Sequence, residues 1–207
     1  MVKTTEMHQI EREIYEEYQT KIIPFIVTLE ALDGEFPVEI LNEIRAIFTH
    51  FSVYKLENSD NDLHLALRHL RRAILDCHKY VCVSIEENIK MFRHEYRNVN
   101  LSLADNGKFL PTLNKLHQVA RGKVIEAKRF ESGQKNTSND KEEETDLLYQ
   151  KYEEAWTAYD DLDKFLEESN QAIGFASNQS KKASIFNKVS LAIGMIGILV
   201  GVIGILL

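Results

Sequence analysis

The stretch VSLAIGMIGILVGVIGILL (Val189–Leu207) closes the chain and contains no charged residue. At a rise of about 1.5 Å per residue, a helix of this length spans roughly 28 Å, close to the thickness of a bilayer hydrocarbon core. The run is therefore expected to be a single transmembrane helix at the C-terminus. With no polar tail behind it, the expected arrangement is a tail-anchored body held to a membrane by its last helix.

Within that run Gly194, Gly197, Gly201 and Gly204 recur at steps of three and four, placing them on one helical face. Glycine inside a helix costs about 1 kcal/mol against alanine, so such a stripe calls for a packing reason. Small residues at this spacing let transmembrane helices approach closely, and Gly197 with Gly201 forms a GxxxG pair. The register extends backwards in alternating steps through Ser190, Asn187, Ala183, Ser180, Ala176, Ile173, Ser169, Leu166, Leu162, Tyr159, Ala155 and Tyr152 to Leu148. This is a heptad seam, large and apolar at its start and small or polar towards the span. It suits helices gathered around an axis, either tightly packed or lining a narrow wet path. Asn187 and Ser190 fit both arrangements.

Outward from the span, the 207-residue chain leaves about 185 residues for the body, enough for one helical domain and a stalk. Only 3 prolines and 9 glycines occur, so chain breakers are scarce and an all-α protein is expected. The fold class is a cytoplasmic helical bundle with a long C-terminal helix leading into the span. The expected division is a helical sensor domain over 1–131, a linker over 132–140, an oligomerisation stalk over 141–184 and the transmembrane helix over 185–207. A net charge of -7 argues against general coating of nucleic acid. The N-terminus lacks the apolar core of a secretory signal, and Lys181, Lys182 and Lys188 flank the span on its N-terminal side. By the positive-inside tendency the body faces the cytoplasm.

Helical periodicity runs from Thr4 to Leu32 through Ile10, Ile14, Tyr18, Ile22, Phe25 and Leu29, with a kink expected at Pro24. A second helix spans Pro37–Tyr54 and a long third runs from about Asp62 to Val99. A turn at Asp105-Asn106-Gly107 precedes a helix over Pro111–Phe130, and SGQKNTSND (Ser132–Asp140) reads as a linker. The last helix starts near Lys141, and Gly174 or the polar run SNQSKK could interrupt it before the span.

No phosphate-cradling glycine loop, nucleophile elbow or zinc pattern is present, so neither an enzyme nor a cofactor or metal site is expected. Cys77 and Cys82 read as packing residues. The densest basic segment in this acidic chain is Arg68, His69, Arg71, Arg72, His78 and Lys79, with Arg72 and Asp76 one turn apart. Beside a packed Pro37–Tyr54 helix, Arg45 and His50 could join them in an anion pocket suited to the arginine fork. The plainer reading is an ion-pair network with the many glutamates.

Two segments, EFPVEILNEIRAIFTHF (Glu35–Phe51) and ALRHLRRAILDCHKY (Ala66–Tyr80), together with the terminal span, resemble the membrane subunit of Hailong-type bacterial anti-phage systems, which work beside a nucleotidyltransferase. The resemblance implies a homo-oligomer, with a tetramer as the expected size, in the bacterial inner membrane. It also implies a nucleotide oligomer, made by the partner nucleotidyltransferase, that controls an ion-conducting bundle in anti-phage defence. Carried onto this chain, the ligand would meet Arg45, His50, His69, Arg72 and Lys79, and the path would follow Asn187, Ser190, Gly194, Gly197, Gly201 and Gly204. The competing expectation is a tail-anchored oligomeric adaptor that recruits a partner protein without conduction.

Overall fold

The computed structural model describes the backbone of residues 2–133 and 141–206, and the side chains of 5–32, 34–133, 146–187 and 190. Its elements are all helical: α1 (Val2–Glu17), a π-helical turn (Tyr18–Ile22), α2 (Ile23–Asp33), α3 (Val38–Glu57), α4 (Asp60–Glu95), a 3-10 segment (Leu101–Gly107), α5 (Phe109–Gly133), α6 (Lys141–Glu168) and α7 (Asn170–Leu206). These form two compact units, one of residues 1–89 and 116–162 and the other of 90–115 and 163–207.

In the first unit, the kink expected at Pro24 is a widened turn just before it. Proline has no N–H to donate and its ring crowds the carbonyl of the preceding turn. The backbone takes one extra residue there, and Ile23 N–H reaches back five residues to the carbonyl of Tyr18. The apolar stripe survives the change: Ile10, Ile14, Ile22, Phe25 and Leu29 are all buried. Gly34, in the left-handed region at φ 70°, ends α2 with its N–H on the Glu30 carbonyl at 2.9 Å. Pro37 is extended and immediately precedes α3. Asn58, also left-handed, ends α3, and the Ser59 carbonyl accepts the N–H groups of Asp62 and Leu63 as α4 begins.

Helix α4 is the axis of this unit. Its buried positions, from Leu63, Leu70 and Ile74 to Val81 and Ile89, cover more than one stripe, because elements pack on several sides of it. Arg71 reaches Glu13 of α1, Tyr80 reaches Glu39 of α3, Lys79 reaches Glu131 of α5, and His78 stacks on Trp156 of α6. Cys77 and Cys82 are buried free thiols in this core, and burial pushes both up to about 12, which makes them unreactive packing groups. Leu148, Tyr152, Ala155, Tyr159 and Leu162 of α6 are buried in the unit as well. The upper part of the heptad seam thus packs within the chain.

In the second unit, α4 ends at Glu95, short of the expected Val99, and the chain turns through an elbow. The Asn100 side chain accepts from the N–H and hydroxyl of Ser102, and Asp105, Asn106 and Gly107 follow with φ of 46°, 51° and 86°. Pro111 lies in the first turn of α5, where its missing N–H costs nothing. Phe109 is fully buried, stacks on Phe165 at 5.6 Å and meets Phe92 edge-on. Helix α7 lays Ile173 and Ala176 into this unit, and its Ser180 hydroxyl accepts the Asn100 N–H at 2.9 Å. Between α6 and α7 only Ser169 leaves helical geometry, and its N–H and carbonyl both remain hydrogen-bonded to neighbouring turns. Gly174 and the SNQSKK run lie inside α7 and do not interrupt it.

Candidate ligand site on the α3–α4 face

The pairings between α3 and α4 progress in opposite senses along the two helices, as two antiparallel helices joined by a short turn require. Nearest the turn, His50 Nδ1 bonds Asp62 Oδ1 at 2.7 Å. Two turns further, His69 Nδ1 bonds Glu43 Oε2 at 2.7 Å, and Arg72 approaches the other Glu43 oxygen at 3.6 Å. The rings of His50 and His69 stack with centroids 5.3 Å apart and planes 12° apart. Ser59 donates its hydroxyl to Asp62 at 2.5 Å, and that bond, followed by the one from His50, holds the Asp62 carboxyl below its ordinary range.

Of the five residues expected to meet a ligand, the fold brings His50, His69 and Arg72 into one cluster. Arg45 stands exposed on the same helix as His50 and Glu43, and its carbonyl accepts the Thr49 hydroxyl. Lys79 turns elsewhere: its Nζ donates to Glu131 at 2.7 Å and lies 5.0 Å above the Tyr152 ring. Asp76 connects the two places. It sits 3.9 Å from Lys79, and its carboxyl is raised chiefly by burial, with Lys79 and Arg72 opposing and Glu43 and Glu131 reinforcing. Arg72 thus finds Glu43 across the helix pair in preference to the expected i,i+4 partner.

The electrostatics follow from this set. Arg72 faces the Glu43 carboxylate, and the Asp62 carboxylate is taken by His50 and Ser59, so the cluster is not an empty anion cradle. Positive charge open to an approaching anion lies on Arg72, whose side chain is 63% exposed, and on Arg68 one turn before it, while Arg45 is exposed on α3. Sequence spacing alone does not place the Glu43 and Asp62 carboxylates in this cluster. Asp62 carried a signal, as the third residue after the cap-forming Ser59.

His78 is not part of the basic face. It is 1% exposed in the core, stacked on Trp156, with an edge contact to Phe25 and a tilted one to Tyr149. Two further polar clusters join α4, α5 and α6. Glu86 accepts from His117 at 2.7 Å and Tyr159 at 2.9 Å, while Glu131 accepts from Lys79 and Tyr152, both at 2.7 Å. Burial would raise both carboxyls, and these bonds more than reverse it, so both stand below their ordinary value.

On α7, Ala183, Asn187 and Ser190 are exposed. The surroundings of Gly194, Gly197, Gly201 and Gly204, and the side chains of most of the expected span, lie outside what is described. Among the described residues no helix is long and apolar enough to cross a membrane, and no group of three or more His, Cys, Asp or Glu side chains is placed to hold a metal ion. Comparison with protein-family models, with curated proteins and with solved structures gives no match to this chain.

Proposed function

We propose that this protein is a nucleotide-regulated membrane effector of bacterial anti-phage defence, in which copies of the chain gather their terminal helices into an ion-conducting path. The observation that carries this reading is the uncharged sequence from Val189 to Leu207 at the end of a helix that begins at Asn170. Lysines at 181, 182 and 188 on its N-terminal side favour a single pass through the inner membrane with the helical body in the cytoplasm. The path would follow Asn187, Ser190 and the glycines at 194, 197, 201 and 204. The ligand, a nucleotide oligomer made by a partner nucleotidyltransferase, would meet Arg45, Arg72, His50 and His69. Lys79, engaged by Glu131, would contribute only through Asp76. Such a ligand controls conduction to the extent that it binds one arrangement of the helices better than the other.

The test is membrane potential. Expression of the chain in bacteria is expected to depolarise the inner membrane in at least one ligand condition, and Gly201→Leu is expected to abolish this while the helical content of the purified protein stays the same. Absence of depolarisation with and without the nucleotidyltransferase sinks the conducting function.

One observation favours a second reading, a tail-anchored adaptor. Val38, Leu41, Phe48 and Leu56 form an exposed apolar stripe on α3, with Leu56 83% exposed. If Phe48→Glu abolishes protection against phage while depolarisation is absent throughout, this stripe is the working surface.

A further inference from the structure

His78 is buried in an aromatic box. Trp156 of α6 lies flat against its ring at 5.5 Å and 8°, Phe25 of α2 meets it edge-on at 4.9 Å, and Tyr149 of α6 leans on it at 5.4 Å. Phe25 and Trp156 also touch each other, at 5.2 Å, which closes the box. Inside it, Nδ1 has no hydrogen-bond partner among the described residues. A buried polar atom left unpaired costs about 1–3 kcal/mol, more if it becomes charged.

The charged and titratable groups around the box give a proton on His78 no compensation. From the π-helical turn Lys21 extends over Tyr149, donating to its hydroxyl at 2.6 Å and to Glu17 at 2.9 Å. Glu17 is therefore already committed to Lys21. On α6 Glu153 acts on Tyr149, and on α4 the neighbours of His78 are the Cys77 thiol and Lys79, which is held by Glu131. The charge that acts on the imidazole is the positive one of Lys21.

We propose that His78 is a proton-operated latch: protonation of its imidazole opens the first half of α6, carrying Tyr149 and Trp156, away from α2 and α4. The side chains that cover His78 from α6 are the ones that must leave for water to reach the new cation. The second half of α6 stays anchored, because Tyr159 remains tied to Glu86. This inference concerns the body alone and does not depend on conduction.

Burial, and then Lys21, push His78 from 6.5 down to about 4 in the closed form. An opened form that titrates at the ordinary value would gain about two orders of magnitude in relative population as the pH falls from 6.5 to 4. The chain has 1 tryptophan, so its fluorescence reports this contact directly. In the detergent-solubilised full chain, lowering the pH from 7 to 4 is expected to shift Trp156 emission to the red and to increase its quenching by acrylamide, with helical ellipticity retained. His78→Phe is expected to remove the transition. If His78→Phe does not fold, His78→Gln, which cannot take up the proton, serves instead. Flat wild-type emission over this range, an unchanged transition in a folded variant, or loss of ellipticity in step with the emission would each overturn the latch.

Discussion

His50 and His69 lie face to face, and each is held through Nδ1 by a carboxylate on the opposite helix: His50 by Asp62 of α4, His69 by Glu43 of α3. The face proposed to receive a nucleotide therefore carries its own competitors. Removing one of them should help an anion, because Glu43 also draws Arg72. Glu43→Gln is expected to tighten binding of the nucleotide ligand several-fold, and Arg72→Ala to weaken it by up to about tenfold, since an exposed arginine gives only part of the value of a charge-assisted bond. Isothermal calorimetry on the purified protein checks both. Unchanged affinity in both variants would place the ligand elsewhere.

Tyr152 and Tyr159 stand one heptad apart on α6 and perform the same task, each donating its hydroxyl to a carboxylate shared with a basic side chain. Both rings are buried, so losing the hydroxyl leaves a desolvated carboxylate one donor short. Tyr152→Phe and Tyr159→Phe are each expected to destabilise the fold by about 1–2 kcal/mol, because Lys79 and His117 remain to satisfy the carboxylates in part. Separated by two turns, roughly 10 Å, the two changes should add. Urea unfolding followed by circular dichroism measures this, and a neutral result for both would mean that the layer contributes no stability.

Much of this bundle was legible in the sequence. The stripe from Ile10 to Leu29 follows the local rule of periodicity and appears in the fold, whereas α3 runs to Glu57, past the expected end at Tyr54. The heptad run on α6 was legible too, but its partner was not. Tyr152 and Leu162 look the same in sequence whether they meet another copy or α4 and α5 of their own chain. The basic segment showed the same limit. His69, Arg72, His78 and Lys79 sit within a few turns of one helix, yet they point to α3, the core and α5, because α4 is covered on several sides. Charge density along a helix fixes composition, whereas the direction of each side chain depends on neighbours that sequence spacing does not reveal.

The response to acid has a definite sign. His78 is lowered to about 4 in the fold against 6.5 when unfolded, so between those values the unfolded chain binds the proton and the folded chain does not. Its contribution to stability is present above pH 6.5 and is lost as the pH falls towards 4, a difference of about 3 kcal/mol at about 1.4 kcal/mol per pH unit. Glu86 and Glu131, held below their ordinary 4.5, contribute stability above that value that disappears only as the pH drops through their lower folded values. Denaturation midpoints at pH 7, 5.5 and 4.5 separate the two effects. Wild type should lose stability across this series and His78→Phe should lose little.

The elbow between α4 and α5 offers a test of the second unit. Asp105, Asn106 and Gly107 follow one another with positive φ, a conformation that costs a residue with a Cβ about 1–2 kcal/mol and glycine nothing. At Gly107 a Cβ would meet only the Ser102 carbonyl, at 3.7 Å, so the penalty for Gly107→Ala is one of backbone conformation and not of crowding. That variant is expected to destabilise the protein by about 1 kcal/mol, lowering Tm by about 2–4 °C for a chain of this size. Asn106→Gly, at φ 51°, removes a Cβ where the backbone already disfavours one and should leave Tm unchanged or slightly higher. Because the Asn100 N–H in the same elbow donates to Ser180, hydrogen exchange should show the loss in Gly107→Ala concentrated in α7 around Ile173–Ser180. If exchange there is unaltered while Tm falls, the elbow does not support that part of α7.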